Sequence, residues 1–144
     1  ENVNVQGLYF HDSPAWVIHP YFSDQLRFCD LLVENPKQSP NTDGLDPESC
    51  KNVEILGVHF SLGDDCIAVK SGKIYMGRKY KTPAENTHIC HCLMENGHGA
   101  VTVGWWKNAA FHTQTVDSAS RQDGAGAKIR CWTESHSGTL KWIM

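Results

Sequence analysis

Two nine-residue stretches, 2–10 and 52–60, follow one template, Asn-Val-x-Val-x-Gly-Leu-x-Phe in the first and Asn-Val-x-Ile-x-Gly-Val-x-Phe in the second. Apolar and polar residues alternate along each, the period of a strand with one buried face. The runs QLRFCDLLVEN (25–35) and THICHCLMEN (87–96) hold the same rhythm less clearly. From Val3 to Leu26, Val53, Thr87 and Ala109 the steps are about 23, 27, 34 and 22 residues. Short strands recurring at that spacing, without helical periodicity, predict a solenoid in which each coil covers the apolar side of the next. A sandwich or barrel of hairpins fits less well, because no Asn-Gly or Asp-Gly turn joins two adjacent apolar runs. The expected fold class is therefore all-β, a parallel β-helix of about five to six coils, with residues 1–144 forming a single domain. The longest step holds GKIYMGRKYKTPAEN (72–86), read as a basic insertion that loops out beside the coil.

A chain of 144 residues, 40% apolar and 20% charged, is long enough for one real core. A net charge of −3 without a basic run argues against a nucleic-acid partner, and no stretch approaches the length of a membrane span. The chain opens mid-pattern without a leader or initiating Met, so it reads as a mature or truncated segment, cut at both ends. Uncapped coil ends would offer sheet edges for self-association. Six cysteines, at 29, 50, 66, 90, 92 and 131, lie mostly within apolar-alternating runs and read as buried thiols. Cys90 and Cys92 with His88, His91 and His98 hint at zinc, but no second ligand pair of the usual spacing exists. No metal and no cofactor is expected.

The chemistry concentrates between Asn41 and Lys70. Two acidic clusters, Asp43/Asp46 and Asp64/Asp65, flank the second template run. Asp43 and Asp64 stand about twenty residues apart, roughly one coil, so the clusters should meet on adjacent rungs about 4.8 Å apart. Carboxylates crowded in this way raise the pKa of at least one of them, and such a cost marks a working site. Each residue also has an ordinary reading. Asp43 and the Asp64-Asp65 pair sit in turn-forming company, Asp46 precedes a proline and would support Asp43 in a turn, and His19 is as readily structural as substrate-facing. His98, between two glycines, points to a loop-held functional histidine. Trp105 and Trp106 read either as a sugar platform or as a hydrophobic ledge, whereas Trp16, Trp132 and Trp142 read as packing.

With NTDGLDPESC, then GDD followed by CIAVKSG, then NGHGAVTVG in that order, the chain resembles the polygalacturonases of glycoside hydrolase family 28. SPAWVIHP (13–20) and AKIR (127–130) sit where that family has comparable segments. The resemblance implies a right-handed parallel β-helix and the central, active-site-bearing part of a longer catalytic domain. It further implies an inverting hydrolysis of α-linked galacturonic acid units of pectin or polygalacturonate. Asp64 would protonate the glycosidic oxygen, Asp43 and Asp65 would hold and deprotonate the water, and His98 would support the acid. Lys128 and Arg130 would contact a galacturonate carboxylate, with His19 and Lys70 as further substrate-binding candidates. The partner would be a polysaccharide and the location secreted or periplasmic.

Inversion needs a carboxylic acid and a carboxylate roughly 6.5–9.5 Å apart with water between them. The substrate is a polyanion, so cations must line the rim, and Lys70, Arg78, Lys79, Lys81, Lys128 and Arg130 are available. Two other readings compete. One is a non-catalytic β-helix that binds uronate-rich glycans or serves only as scaffold. The other is a calcium-dependent lyase on the same fold, against which the Asp-Asp and Gly-His-Gly arrangement speaks.

Overall fold

The computed structural model describes residues 2–72, 75–105, 111–121, 129–131 and 140–143, and every strand pairing among them is parallel. The strands are β1 (Val3–Gln6), β2 (Tyr9–His11), β3 (Asp24–Cys29), β4 (Leu32–Glu34), β5 (Lys51–Leu56), β6 (His59–Ser61) and β7 (Ile67–Ser71). A short helix α1 (Tyr75–Tyr80) precedes β8 (Ala84–Asn96), β9 (Val101–Trp105), β10 (Phe111–Arg121), β11 (Ile129–Cys131) and β12 (Leu140–Ile143). They wind as a right-handed parallel β-helix with three faces. The first face stacks β1, β3, β5, the start of β8, the start of β10 and β12. The second stacks β2, β4, β6 and the far half of β8. The third stacks the bridged segments around Ile18 and Leu45 with β7, β9 and β11. The described strands thus make five coils and open a sixth.

The register follows from which side chains each coil can bury. Val3 lies beside Leu26, Leu26 beside Val53, and Val53 beside Thr87, as the spacing of the runs predicts. Each face then carries an internal column: Phe28, Ile55 and Ile89; Val33, Phe60 and Met94; Leu45, Ile67 and Val101. All nine are buried, and burial of such side chains contributes about 1.5–3 kcal/mol apiece before conformational entropy is subtracted. The next step departs from the expected one. Thr87 pairs with Gln114, five residues beyond Ala109, which itself lies outside the described residues.

Sharp corners let strands this short close a coil. Gly7, Asp30, Gly57 and His91 occupy equivalent corners after the first face, all with positive φ between 52° and 67°. Glycine adopts that conformation freely; Asp and His do so at a cost of about 1 kcal/mol or more. At the opposite edge of that face Asn86 donates to Asn52, and Asn52 to the Asp24 carboxylate, a ladder of side chains that ties rung to rung. The insertion in the longest coil is partly helical rather than a simple loop, since it contains α1. Cys29, Cys50, Cys66, Cys90 and Cys92 are buried, as their apolar setting implies. No helix among the described residues is long and apolar enough to cross a membrane.

Candidate active site

The third face carries the acids. Leu45 bridges Ile67 and Ile67 pairs with Val101, so the residues two positions earlier, Asp43, Asp65 and Gly99, fall in one column. The Gly44 amide donates to the Asp65 carbonyl and the Cys66 amide to the Gly99 carbonyl, which fixes that alignment. The neighbouring column holds Asp64 and His98, with the His98 amide on the Asp64 carbonyl. Carboxylate oxygens of Asp43, Asp64 and Asp65 consequently lie within 4.8 Å of one another. His98 Nδ1 stands 3.2 Å from Asp64 Oδ1. The four residues read from the sequence as a catalytic set are therefore brought to one spot.

The three carboxylates differ in setting. Asp43 is nearly buried and accepts from Lys70 Nζ at 3.1 Å. Asp64 is held by the backbone amides of Asn41 and Asp65 at 3.2 and 2.9 Å, and its partly exposed carboxylate opens toward solvent beside the largely exposed His98. Asp65 has its pKa raised, chiefly by burial and further by the charges of Asp43 and Asp64. Thr102 and His98 offset part of that, although Thr102 Oγ1 makes no well-formed hydrogen bond among the described residues. Desolvation, more than crowding, is thus the main cause. Gly99 has to be glycine for this packing: a Cβ there would stand 2.7 Å from Asp65 Oδ1 and 2.6 Å from Thr102 Oγ1. The nearest oxygens are closer than the separation expected for an acid and a base with water between them, because Asp43 and Asp65 occupy adjacent rungs of one column. A triad of oxygens this close would also suit a hard cation, but the Lys70 ammonium already stands against Asp43 on one side of it.

Beneath this group lies a feature the sequence reading did not find. Asp46, taken as a turn residue, is wholly buried and accepts a hydrogen bond from Lys70 Nζ. Burial pushes its carboxyl up to about 8 against the pull of Lys70. Lys70 Nζ also lies 3.4 Å from the centre of the Trp16 ring, a cation–π contact. The ammonium is therefore committed to Asp43, Asp46 and Trp16, a deeper position than the rim expected of it. Trp16 packs against it rather than in the general core. Glu48, buried two residues beyond, accepts from His19 Nε2 at 2.9 Å. His19 is thus on the acid-bearing face, one rung before Asp46, with its ring edge-on to Trp16 at 4.9 Å. The register alone points to this layer, since Glu48 bridges Lys70 and Tyr21 bridges Glu48. Arg130 pairs through its backbone with Thr102, on the same face one rung beyond Asp65. Lys128, Trp106 and Trp132 lie outside the described residues.

Comparison with known proteins accords with this arrangement. A probable polygalacturonase of Arabidopsis thaliana is 32% identical over 148 residues, covering 99% of this chain and 29% of its own length. An endo-polygalacturonase of Pectobacterium carotovorum subsp. carotovorum is 37% identical over 119 residues, or 81% of this chain and 27% of that protein. The crystal structure of a hyperthermoactive exopolygalacturonase from Thermotoga maritima superposes with a TM-score of 0.74 at 29% identity, covering 99% of this chain and 32% of that one. The chain spans about a fifth to a third of the length of the curated relatives it matches. The model for the glycosyl hydrolases of family 28 matches residues 1–140, and the chain belongs to that family.

Proposed function

We propose that this chain carries the acid–base centre of a glycosidase that hydrolyses α-linked galacturonic acid units of pectin or polygalacturonate. The observation that carries the reading is the convergence of Asp43, Asp64 and Asp65 within 4.8 Å, beside His98. Asp64, more open than Asp43 and the one against His98, is the proton donor to the glycosidic oxygen. Asp43 and Asp65 together hold the attacking water, so the water lies in front of a carboxylate pair instead of midway between one acid and one base. Lys70 Nζ, 3.1 Å from Asp43 Oδ2, orients that carboxylate. Lys128 and Arg130 are assigned to a substrate carboxylate, the strand of Arg130 lying two rungs beyond Asp65, and His19 to the groove on the rung before Asp43. The substrate class fits action outside the cytoplasm, secreted or periplasmic.

Asp64→Asn tests the assignment. The variant should lose release of reducing ends from polygalacturonate by about a hundredfold or more, with an unchanged circular dichroism spectrum. Retained activity would remove Asp64 from the role of acid. Nuclear magnetic resonance of the first-formed anomer separates inversion from retention, which the short oxygen spacing leaves to experiment.

A further inference from the structure

A row of aromatic rings runs along the third face away from the acids. It starts at Trp16 under Lys70 and continues through His19, Tyr21 and Phe22 to Tyr80 of α1, with successive centroids 4.9, 5.8, 4.5 and 5.7 Å apart. Its far end is exposed: Phe22 is 37% accessible, Tyr80 49% and Tyr75 65%. Phe22 is also held at φ 44°, in the left-handed region that a bulky side chain rarely adopts. The coil imposes this conformation, because Ser49 at the equivalent corner has φ 51°. A small polar residue would fit there at less cost, yet an exposed phenylalanine stands in the position. An outlier that is both strained and exposed is weak as a packing device and points to use. Cations complete the patch. Lys79 Nζ lies 5.0 Å from the Tyr80 ring centre and 5.7 Å from that of Tyr75, and Lys81 follows on the same insertion.

We propose that Phe22, Tyr80 and Lys79 form a distal subsite for an acidic sugar unit of the polysaccharide whose bond is cut at Asp64. The face of a pyranose ring carries C–H groups that pack on aromatic rings, and the uronate carboxylate takes a lysine. The charge of the patch selects a polyanion over a neutral glycan. Its continuity with Trp16 and Lys70 places it on the same bound chain as the acids rather than on a separate ligand. This inference rests on the hydrolase reading, and its test keeps the two apart.

Hydrolysis of trigalacturonate and of octagalacturonate is compared for the wild-type chain, Phe22→Ala, Tyr80→Ala and Lys79→Gln. Binding of the longer oligomer is measured by calorimetry in an Asp64→Asn background, with and without Phe22→Ala. The expected result is a rise of about threefold to tenfold in KM and Kd for the octamer in each variant, and a reduced preference for octamer over trimer. Because Phe22→Ala relieves no buried contact of the core, an Asn at the same position serves as a second variant that suits the left-handed corner and removes the ring. Equal losses on both oligomers, or unchanged octamer binding in Phe22→Ala and Phe22→Asn, would overturn the subsite while leaving the hydrolase reading intact. No hydrolysis of either oligomer by the wild-type chain would instead defeat that reading. Binding of the octamer by the Asp64→Asn chain, weakened by Phe22→Ala, would then still support the subsite.

Discussion

Replacing Asp46 by Asn should change how the stability of the protein depends on pH. Asp46 is completely enclosed, and burial raises its pKa from 3.8 to about 8. In the unfolded chain the same carboxyl releases its proton near its ordinary value. The folded-state pKa therefore lies above the unfolded one, and the native protein holds a proton that the unfolded chain gives up. The stabilisation is fully present below about pH 4 and is lost as pH rises to about 8. Across that window of roughly four units, at 1.36 kcal/mol per unit, the difference is on the order of 5 kcal/mol. Asparagine has the same shape and no titration. Urea unfolding followed by tryptophan fluorescence should show the wild-type chain losing stability relative to Asp46→Asn by about 1.4 kcal/mol per pH unit between roughly pH 5 and 7. Groups common to both chains cancel in the difference. Parallel profiles would refute the reasoning: Asp46 would then be ionised throughout, with Lys70 outweighing desolvation, and the contact would be a fully charged buried pair.

Other expectations follow from the same geometry. Gly99→Ala should preserve the fold, because the atoms its Cβ meets belong to the side chains of Asp65 and Thr102, but should reduce hydrolysis by about a hundredfold through displacement of Asp65; reducing-end assays beside circular dichroism check it. Phe60→Ala removes the central ring of the second face's column and should cost about 3–5 kcal/mol in urea unfolding.

The coil architecture was open to reading from the sequence because alternation carries a phase. Val3, Leu26, Val53 and Thr87 announce their register through apolar residues at fixed offsets from a corner residue, and the structure pairs them accordingly. The signal fades after Thr87, where alanines and polar residues in 108–117 give no phase to count, and the expected start at Ala109 misses the observed pairing at Gln114. Helix α1 escaped notice for a related reason. Six residues with a central Gly77 are too short to display a helical period.

The site divides along the same line. Asp64, Asp65 and His98 were legible because each lies at a fixed offset from a strand that must bury its alternate residues, and Asp43 because it stands about one coil before Asp64. The segment DPESC (46–50) has no such alternation, and it meets its neighbours through isolated bridges. Nothing in it distinguishes the wholly buried Asp46 and Glu48 from solvated turn acids. By itself, then, the sequence determined the coil, its pitch and the edge on which the acids gather, since these depend on periodicity within each strand. Only the tertiary structure decided which acids lose their water and which cation holds them, because desolvation and the reach of Lys70 depend on the rungs stacked above and below.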